Sequence, residues 1–301
     1  MRIGLHLPQL GRAASPENLV FVAQRAEALG FSDAWVSDHV AVPVTMSGTP
    51  SFFPEPVPLL SMVAGHTDRI GLGTSVIIGA YRNPMHFAKQ WATLDWLAPG
   101  RTVLGLGAGW LDEEFEACGV DPANKGRRLD DYIAGWRALW SGETEYTGEY
   151  FSFQGVRVRP EPVEPIKVWI GGSSSGAIKR AAGNDGWHPT WAPVDVMAQR
   201  LEILHAEIDR LGRDRDQVTV SMHMEMRLGE QLPVGYWSRE GDGYGEREVA
   251  DATREGLVAT LRRYEHIGVQ HIVLTPQCRS LEEWTEQLDA LEGLPEEMER
   301  A

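Results

Sequence analysis

Apolar and polar positions along this chain alternate between two periods. Residues 2–7, with Ile3, Leu5 and Leu7 at alternate positions, read as a buried strand ending at Pro8. At Ser15 the period changes. Ser15-Pro16-Glu17 supplies an N-cap, a proline at the first helical position and an acidic first turn, and Leu19, Val20, Ala23, Ala26 and Leu29 share one helical face until Gly30 stops it. The same change from strand to helix then recurs. Strands are predicted at 32–37, 70–78, 102–106, 167–170, 185–188, 218–224 and 268–276. Helices are predicted at 85–97, 110–118, 128–140, 177–182, 194–211, 255–266 and 281–291, with a short one carrying Leu59, Leu60, Met62, Val63 and Ala64.

Three stretches interrupt this alternation. Residues 40–58 make a long Pro-rich loop after the second strand, 143–159 carry the pattern of a β-hairpin after the fourth, and 229–248, rich in glycine and charge, follow the seventh. Eight strands alternating with helices predict an α/β protein, a (β/α)8 TIM barrel forming a single domain over residues 1–301, with these three stretches as insertions. In such a barrel the chemistry sits at the C-terminal ends of the strands. The residues to weigh are therefore His6, Asp38-His39, Thr74 to Ile78, Gly107 to Trp110, Gly171 to Ser174, Trp187-His188, Glu225 and Thr275. Residues 70–109 hold a complete strand, helix and strand with glycines at both exits, and form the predicted cofactor floor.

Composition narrows the class. The chain has 301 residues, 43% of them hydrophobic and 11 of them Trp, enough for a large core. A net charge of -15 argues against nucleic acid and anionic membrane surfaces as partners, although helix N-termini can still bind an anion locally. No apolar run approaches the roughly 18 residues that cross a bilayer, and the N-terminus lacks the pattern of a signal peptide. Two cysteines make neither a disulfide framework nor a Cys-based zinc site. The expectation is a soluble cytoplasmic protein with a small-molecule substrate.

Several motifs carry chemistry. Gly105-Leu-Gly-Ala-Gly-Trp110 has a tryptophan where the third glycine of a dinucleotide fingerprint belongs, so it argues against a Rossmann fold; its glycines still let a flat ring approach the backbone. Gly172-Ser173-Ser174-Ser175-Gly176 matches a nucleophile elbow literally, with Ser174 as the serine of a hydrolase. The same residues also read as a phosphate cradle or an ordinary helix cap. His39, beside Asp38, is a candidate acid or base, or a histidine that only bonds its loop. No His-Glu-x-x-His and no clustered carboxylates support a metal site. Trp35, Trp91, Trp96, Trp136, Trp140 and Trp169 are expected in the core, and Trp110 and Trp187 at strand exits, walling a pocket or packing under a loop.

Taken together, Trp35-Val-Ser-Asp-His39, Arg69-Ile-Gly-Leu-Gly-Thr74, Asn83-Pro84 with Ala88-Lys-Gln-Trp-Ala-Thr-Leu-Asp95, Pro99-Gly-Arg101, Gly105 to Trp110 and Gly171-Gly172 resemble the luciferase-like flavin and deazaflavin oxidoreductases, in order and over nearly the whole chain. The resemblance implies a barrel holding FMN or the deazaflavin coenzyme F420, its ring over a non-prolyl cis peptide that would here be Ser75-Val76. Ring-edge and ribityl contacts would fall on Ala108, Gly109 and Trp110, and phosphate contacts on Gly171, Gly172, Ser173 and Ser174. Trp110 and the following Leu111-Asp-Glu-Glu-Phe115 look like the F420 branch. Asp38-His39 matches the deazaflavin sugar-phosphate dehydrogenases, which implies a catalytic His39 and places Asp38 at the cofactor. Trp110 stands where those enzymes place an acid, so their substrate is not carried over. The implied activity is hydride transfer between the deazaflavin C5 and a small organic substrate, in a homodimer. An FMN-dependent two-component monooxygenase is the alternative, followed by a serine hydrolase using Ser174 and a non-enzymatic flavin- or deazaflavin-binding protein.

Overall fold

A computed structural model describes residues 1–46, 52–229 and 252–300. Its fold is the expected (β/α)8 barrel. The barrel strands are β1 (Arg2–His6), β2 (Asp33–Val36), β3 (Gly71–Thr74), β4 (Thr102–Gly107), β5 (Lys167–Gly171), β6 (Gly186–His188), β7 (Thr219–Met226) and β8 (His271–Pro276). The residues group into two compact units, Met1–Trp35 with Trp169–Ala301, and Val36–Val168.

In the first unit β1 pairs in parallel with both β2 and β8, β7 with both β8 and β6, and β6 with β5. The register sets Ser221 opposite His271 and Gly171 opposite His188. Helix Pro16–Ala28 starts as its sequence dictates, with Ser15 Oγ accepting from the Asn18 amide at 3.1 Å and Pro16 at the first position. It buries Leu19, Val22, Ala23 and Ala26, so Val22 replaces Val20 on the apolar face. The other helices here, Ser175–Ala182, Val194–Arg210, Arg254–His266 and Leu281–Ala290, lie within two residues of their predicted limits. The short helix Leu294–Glu299 was below the length at which periodicity is legible.

In the second unit the strand predicted at 70–78 is broken. β3 pairs with β4 through Leu72 and Gly73, the Ser75-Val76 peptide is cis, and a two-residue strand, Ile77–Ile78, resumes the pairing with Leu106 and Gly107. The β4 glycines make this route possible. A Cβ on Gly105 would lie 1.8 Å from the Thr74 carbonyl oxygen, and one on Gly107 would lie 2.8 Å from Val76 Cγ2. Helix Pro84–Leu97 is capped by Asn83 and buries Phe87, Ala88, Trp91, Ala92, Leu94 and Asp95. Trp96 falls outside that arc and is 62% exposed, which corrects its placement in the core. The predicted hairpin is present as Glu145–Thr147 paired with Ser152–Gln154, held by Asp131, which accepts from the Tyr146 hydroxyl and the amides of Tyr150 and Phe151. The insertion predicted at 229–248, apart from Gly229, and the middle of the 40–58 loop lie outside the described residues.

Candidate active site

The exit of β2 gathers the polar groups of the second unit. Asp38 is buried, and its carboxylate accepts two bonds from the Arg82 guanidinium at 2.7 Å, one from the Ile78 amide at 2.9 Å and a long one from the Tyr81 hydroxyl. Arg82 also holds Glu55 Oε1 at 2.6 Å, tying the start of helix Pro56–Ala64 to the same point. Burial would lower the Arg82 pKa, but Asp38 and then Glu55 outweigh it and raise the value, so the guanidinium stays charged. Burial beside Asp38 pushes the Tyr81 phenol up and keeps it neutral. Asp38 thus anchors the strand exit and the Ile77–Ile78 segment.

His39 does not use its sequence neighbour. Its Nδ1 lies 3.0 Å from Oε2 of Glu114, on the helix Asp112–Ala117 that follows β4. The other oxygen of Glu114 accepts the amides of Val40 at 2.8 Å and Ala41 at 3.1 Å. A carboxylate at Nδ1 makes Nδ1–H the donor, so Nε2 of neutral His39 carries the lone pair. Among the described residues no hydrogen bond reaches that Nε2. The ring meets Phe53 edge-on at 4.8 Å and Trp110 at 5.8 Å. Trp110 is 49% exposed, unlike the enclosed tryptophans of the core. Sequence reasoning missed Glu114 as the partner of His39, and missed Arg82. The segment that holds Glu114 was legible, but the contact joins positions 75 residues apart.

The cis peptide lies in the same unit. Ser37 Oγ donates to the Ser75 carbonyl at 3.1 Å, and the Ser75 amide donates to the Val36 carbonyl. Ala108 and Gly109 are half-buried just past β4. Gly109 has φ 85°, and a Cβ there would lie 2.6 Å from the Phe115 ring, so this glycine serves the turn and its packing.

In the first unit, Gly171 ends β5 and Gly172 turns with φ 93°, its carbonyl accepting from Trp187 Nε1 at 2.9 Å. Trp187 is fully buried and packs beneath this turn, so it walls no open pocket. Ser174 caps helix Ser175–Ala182, its Oγ accepting from the Ala177 amide at 3.2 Å. Among the described residues no histidine bonds Ser174, so the nucleophile elbow lacks its base. Ser173 Oγ is buried and has no hydrogen-bond partner among the described residues. An orphaned hydroxyl beside the open amides of a helix start fits a phosphate-bearing group. No group of three or more His, Cys, Asp or Glu capable of holding a metal occurs among the described residues.

Residues 2–231 match the family model of the luciferase-like monooxygenases. A protein of Kineococcus radiotolerans named F420-dependent glucose-6-phosphate dehydrogenase is 30% identical over 223 residues, covering 72% of this chain and 65% of that one. One of the same name from Amycolatopsis mediterranei is 28% identical over 302 residues, covering 86% and 88%. Among solved structures, an F420-dependent secondary alcohol dehydrogenase in complex with an F420-acetone adduct superposes with a TM-score of 0.82 at 16% identity, over 97% of each chain, a likeness of fold.

Proposed function

The chain belongs to the luciferase-like monooxygenase family, and on that premise we propose that it is an F420-dependent oxidoreductase that moves a hydride between the deazaflavin and a small organic substrate at the C-terminal ends of the strands. Two relatives named for F420 dependence support the choice of coenzyme. The observation that carries the chemistry is the His39 and Glu114 pair, which leaves one imidazole nitrogen as an acceptor beside two aromatic rings.

When bound, the coenzyme supplies a carbon, C5, that gives or receives the hydride. The chain's part is acid-base chemistry and placement. His39 Nε2 accepts the proton of a substrate hydroxyl as the hydride leaves the substrate carbon that bears it, and returns that proton in the reverse direction. Glu114 holds the opposite nitrogen and so fixes the tautomer and the ring plane. Phe53 and Trp110 limit water at the imidazole. Asp38 keeps the strand exit in place through Arg82 and Ile78. Gly171, Gly172, Ser173 and Ser174 would hold the phosphate, Ser75 and Val76 would underlie the ring, and Ala108, Gly109 and Trp110 would flank it. The homodimer implied by the family resemblance and the cytoplasmic location expected from the composition belong to the same proposal.

The test is a spectral titration of the purified protein with F420 and with FMN, followed by turnover with a panel of alcohols and carbonyl compounds. Saturable binding of F420 without FMN binding is expected. His39→Ala should keep the binding and lose at least about 100-fold in turnover, the usual scale of a lost acid-base group. Tight FMN binding with none of F420, or full turnover in His39→Ala, overturns the reading.

A further inference from the structure

The chain that leads into helix Pro56–Ala64 carries an aromatic ring to His39. Phe53 is half-buried and meets the imidazole at a centroid distance of 4.8 Å and an interplanar angle of 64°, while Trp110 meets it at 5.8 Å and 85°. Glu114 occupies the Nδ1 side of the same imidazole. A substrate hydroxyl that reaches Nε2 therefore sets the groups on its own carbon against one or both rings. The next residue continues the apolar surface, since Val40 is 51% exposed.

Charge holds Phe53 in place. Glu55, two residues further on, pairs with Arg82 through Oε1 at 2.6 Å, and its Oε2 accepts the Val57 amide at 2.8 Å. Arg82 in turn holds both oxygens of Asp38 at 2.7 Å. This clasp ties the backbone beyond Phe53 to the exit of β2, where His39 follows Asp38.

The same groups decide what the site refuses. Asp38, Glu55 and Glu114 gather here with the guanidinium of Arg82, which two of those carboxylates already share. Lys125, over the Phe115 ring at 5.6 Å, is taken by Asp112 at 2.9 Å. A phosphate or carboxylate on the substrate would lose water against this excess of acid, with neither cation released to meet it. The Asp38 and Glu114 oxygens already accept from Arg82 and Ile78, and from His39, Val40 and Ala41, so the hydroxyls of a polyol find their acceptors engaged. An apolar group gains by covering Phe53 and Trp110. We propose that Phe53 is the specificity-determining residue of this site, positioned by the clasp of Asp38, Arg82 and Glu55, and that the substrate is an uncharged alcohol or carbonyl compound with an aliphatic or aromatic group on its reacting carbon. That choice sets the chain apart from the relatives named for glucose 6-phosphate. The alcohol or carbonyl rests on the oxidoreductase reading. The apolar wall does not.

The experiment measures the affinities of methyl propyl ketone, levulinate and glucose 6-phosphate for the full-length protein by saturation-transfer NMR. The protein is saturated with whichever coenzyme the spectral titration identifies, or left free of coenzyme if it identifies neither. Methyl propyl ketone should bind at least about tenfold more tightly than levulinate, which has the same carbon chain ending in a carboxylate, and glucose 6-phosphate should show no saturable binding. Phe53→Ala should weaken the ketone by about tenfold, and Phe53→Leu, which keeps apolar bulk, by about threefold or less. Glu55→Gln breaks the charge pair with Arg82 but keeps an oxygen for the Val57 amide. It should weaken the ketone in the otherwise native chain and add nothing to Phe53→Ala, because it acts through that ring. Levulinate or glucose 6-phosphate binding as well as the ketone, no saturable ketone binding, unchanged ketone affinity in Phe53→Ala, or additive losses in the double variant overturns the proposal. The comparison of ligands in the wild type decides even where a variant does not fold. Binding is read and not hydride transfer, so a wrong order of affinities overturns the wall alone, and failure of F420 to bind or turn over overturns the oxidoreductase reading alone.

Discussion

Glu114 shows how much one side chain can settle at the exit of β2. It is 2% exposed, and its two oxygens serve an imidazole and two backbone amides of the segment that follows His39. Glu114→Ala leaves three donors without an acceptor and should cost about 2 kcal/mol, while Glu114→Gln keeps an oxygen for the amides and should cost about half of that. Urea unfolding of the three proteins checks the order. Gly105 is the opposite case, a residue defined by what it lacks. Gly105→Ala would set a methyl 1.8 Å from the Thr74 carbonyl oxygen, which backbone can relieve only by moving. A loss of about 3 kcal/mol or more is expected, at the upper end of overpacking, and the same unfolding measurement reads it. His39 was legible in the sequence because it is polar at a strand exit. Its partner was not, because adjacency suggested Asp38, while Asp38 is committed to Arg82 and Ile78.

At the scale of elements, capping and stopping residues mark where helices begin and end. Ser15, Asn83, Ser174, Thr253 and Ser280 each accept an amide of the first turn they precede. Ser174 is where this matters for function. As a cap, Ser174→Ala should lower stability by about 1 kcal/mol, and a fluorophosphonate should label neither protein; stoichiometric labelling of the wild type at Ser174 would restore the hydrolase reading. Strand interiors were less legible. The run 70–78 is apolar but for Thr74 and Ser75, and its pattern does not distinguish a continuous strand from one interrupted at Ser75-Val76. The family resemblance pointed to that bond; hydrophobicity could not. Trp96 shows the same limit on a helix, where a large apolar residue lies outside the buried arc.

For the whole molecule, the buried histidines set the response to acid. Burial pushes His6 down to about 4, opposed by its bond to the Leu7 carbonyl, and His188 down to about 3. Both are neutral in the fold and charge near pH 6.5 when the chain unfolds, so the unfolded state binds more protons as the pH drops. Stability should therefore fall as the pH drops below about 6.5 and go on falling until each folded value is passed, by about 2 kcal/mol per histidine at pH 5. Asp33 adds stability above its ordinary carboxylate range that is lost as the pH falls toward about 2. Urea midpoints at pH 7.5 and 5 test this; equal midpoints would count against neutral burial of these rings. The alternation of apolar periods, the caps and the glycine stops determined the succession of strands and helices by themselves, because each depends on neighbours within a few residues. The barrel class followed from that order, and the strand-end rule singled out His39, Gly171 to Ser174 and Trp110. Only the tertiary structure decided which polar groups meet. Glu114 reaches His39 across 75 positions and Asp33 reaches His271 across 238, and such contacts are set by strand register and close packing, which no local pattern encodes.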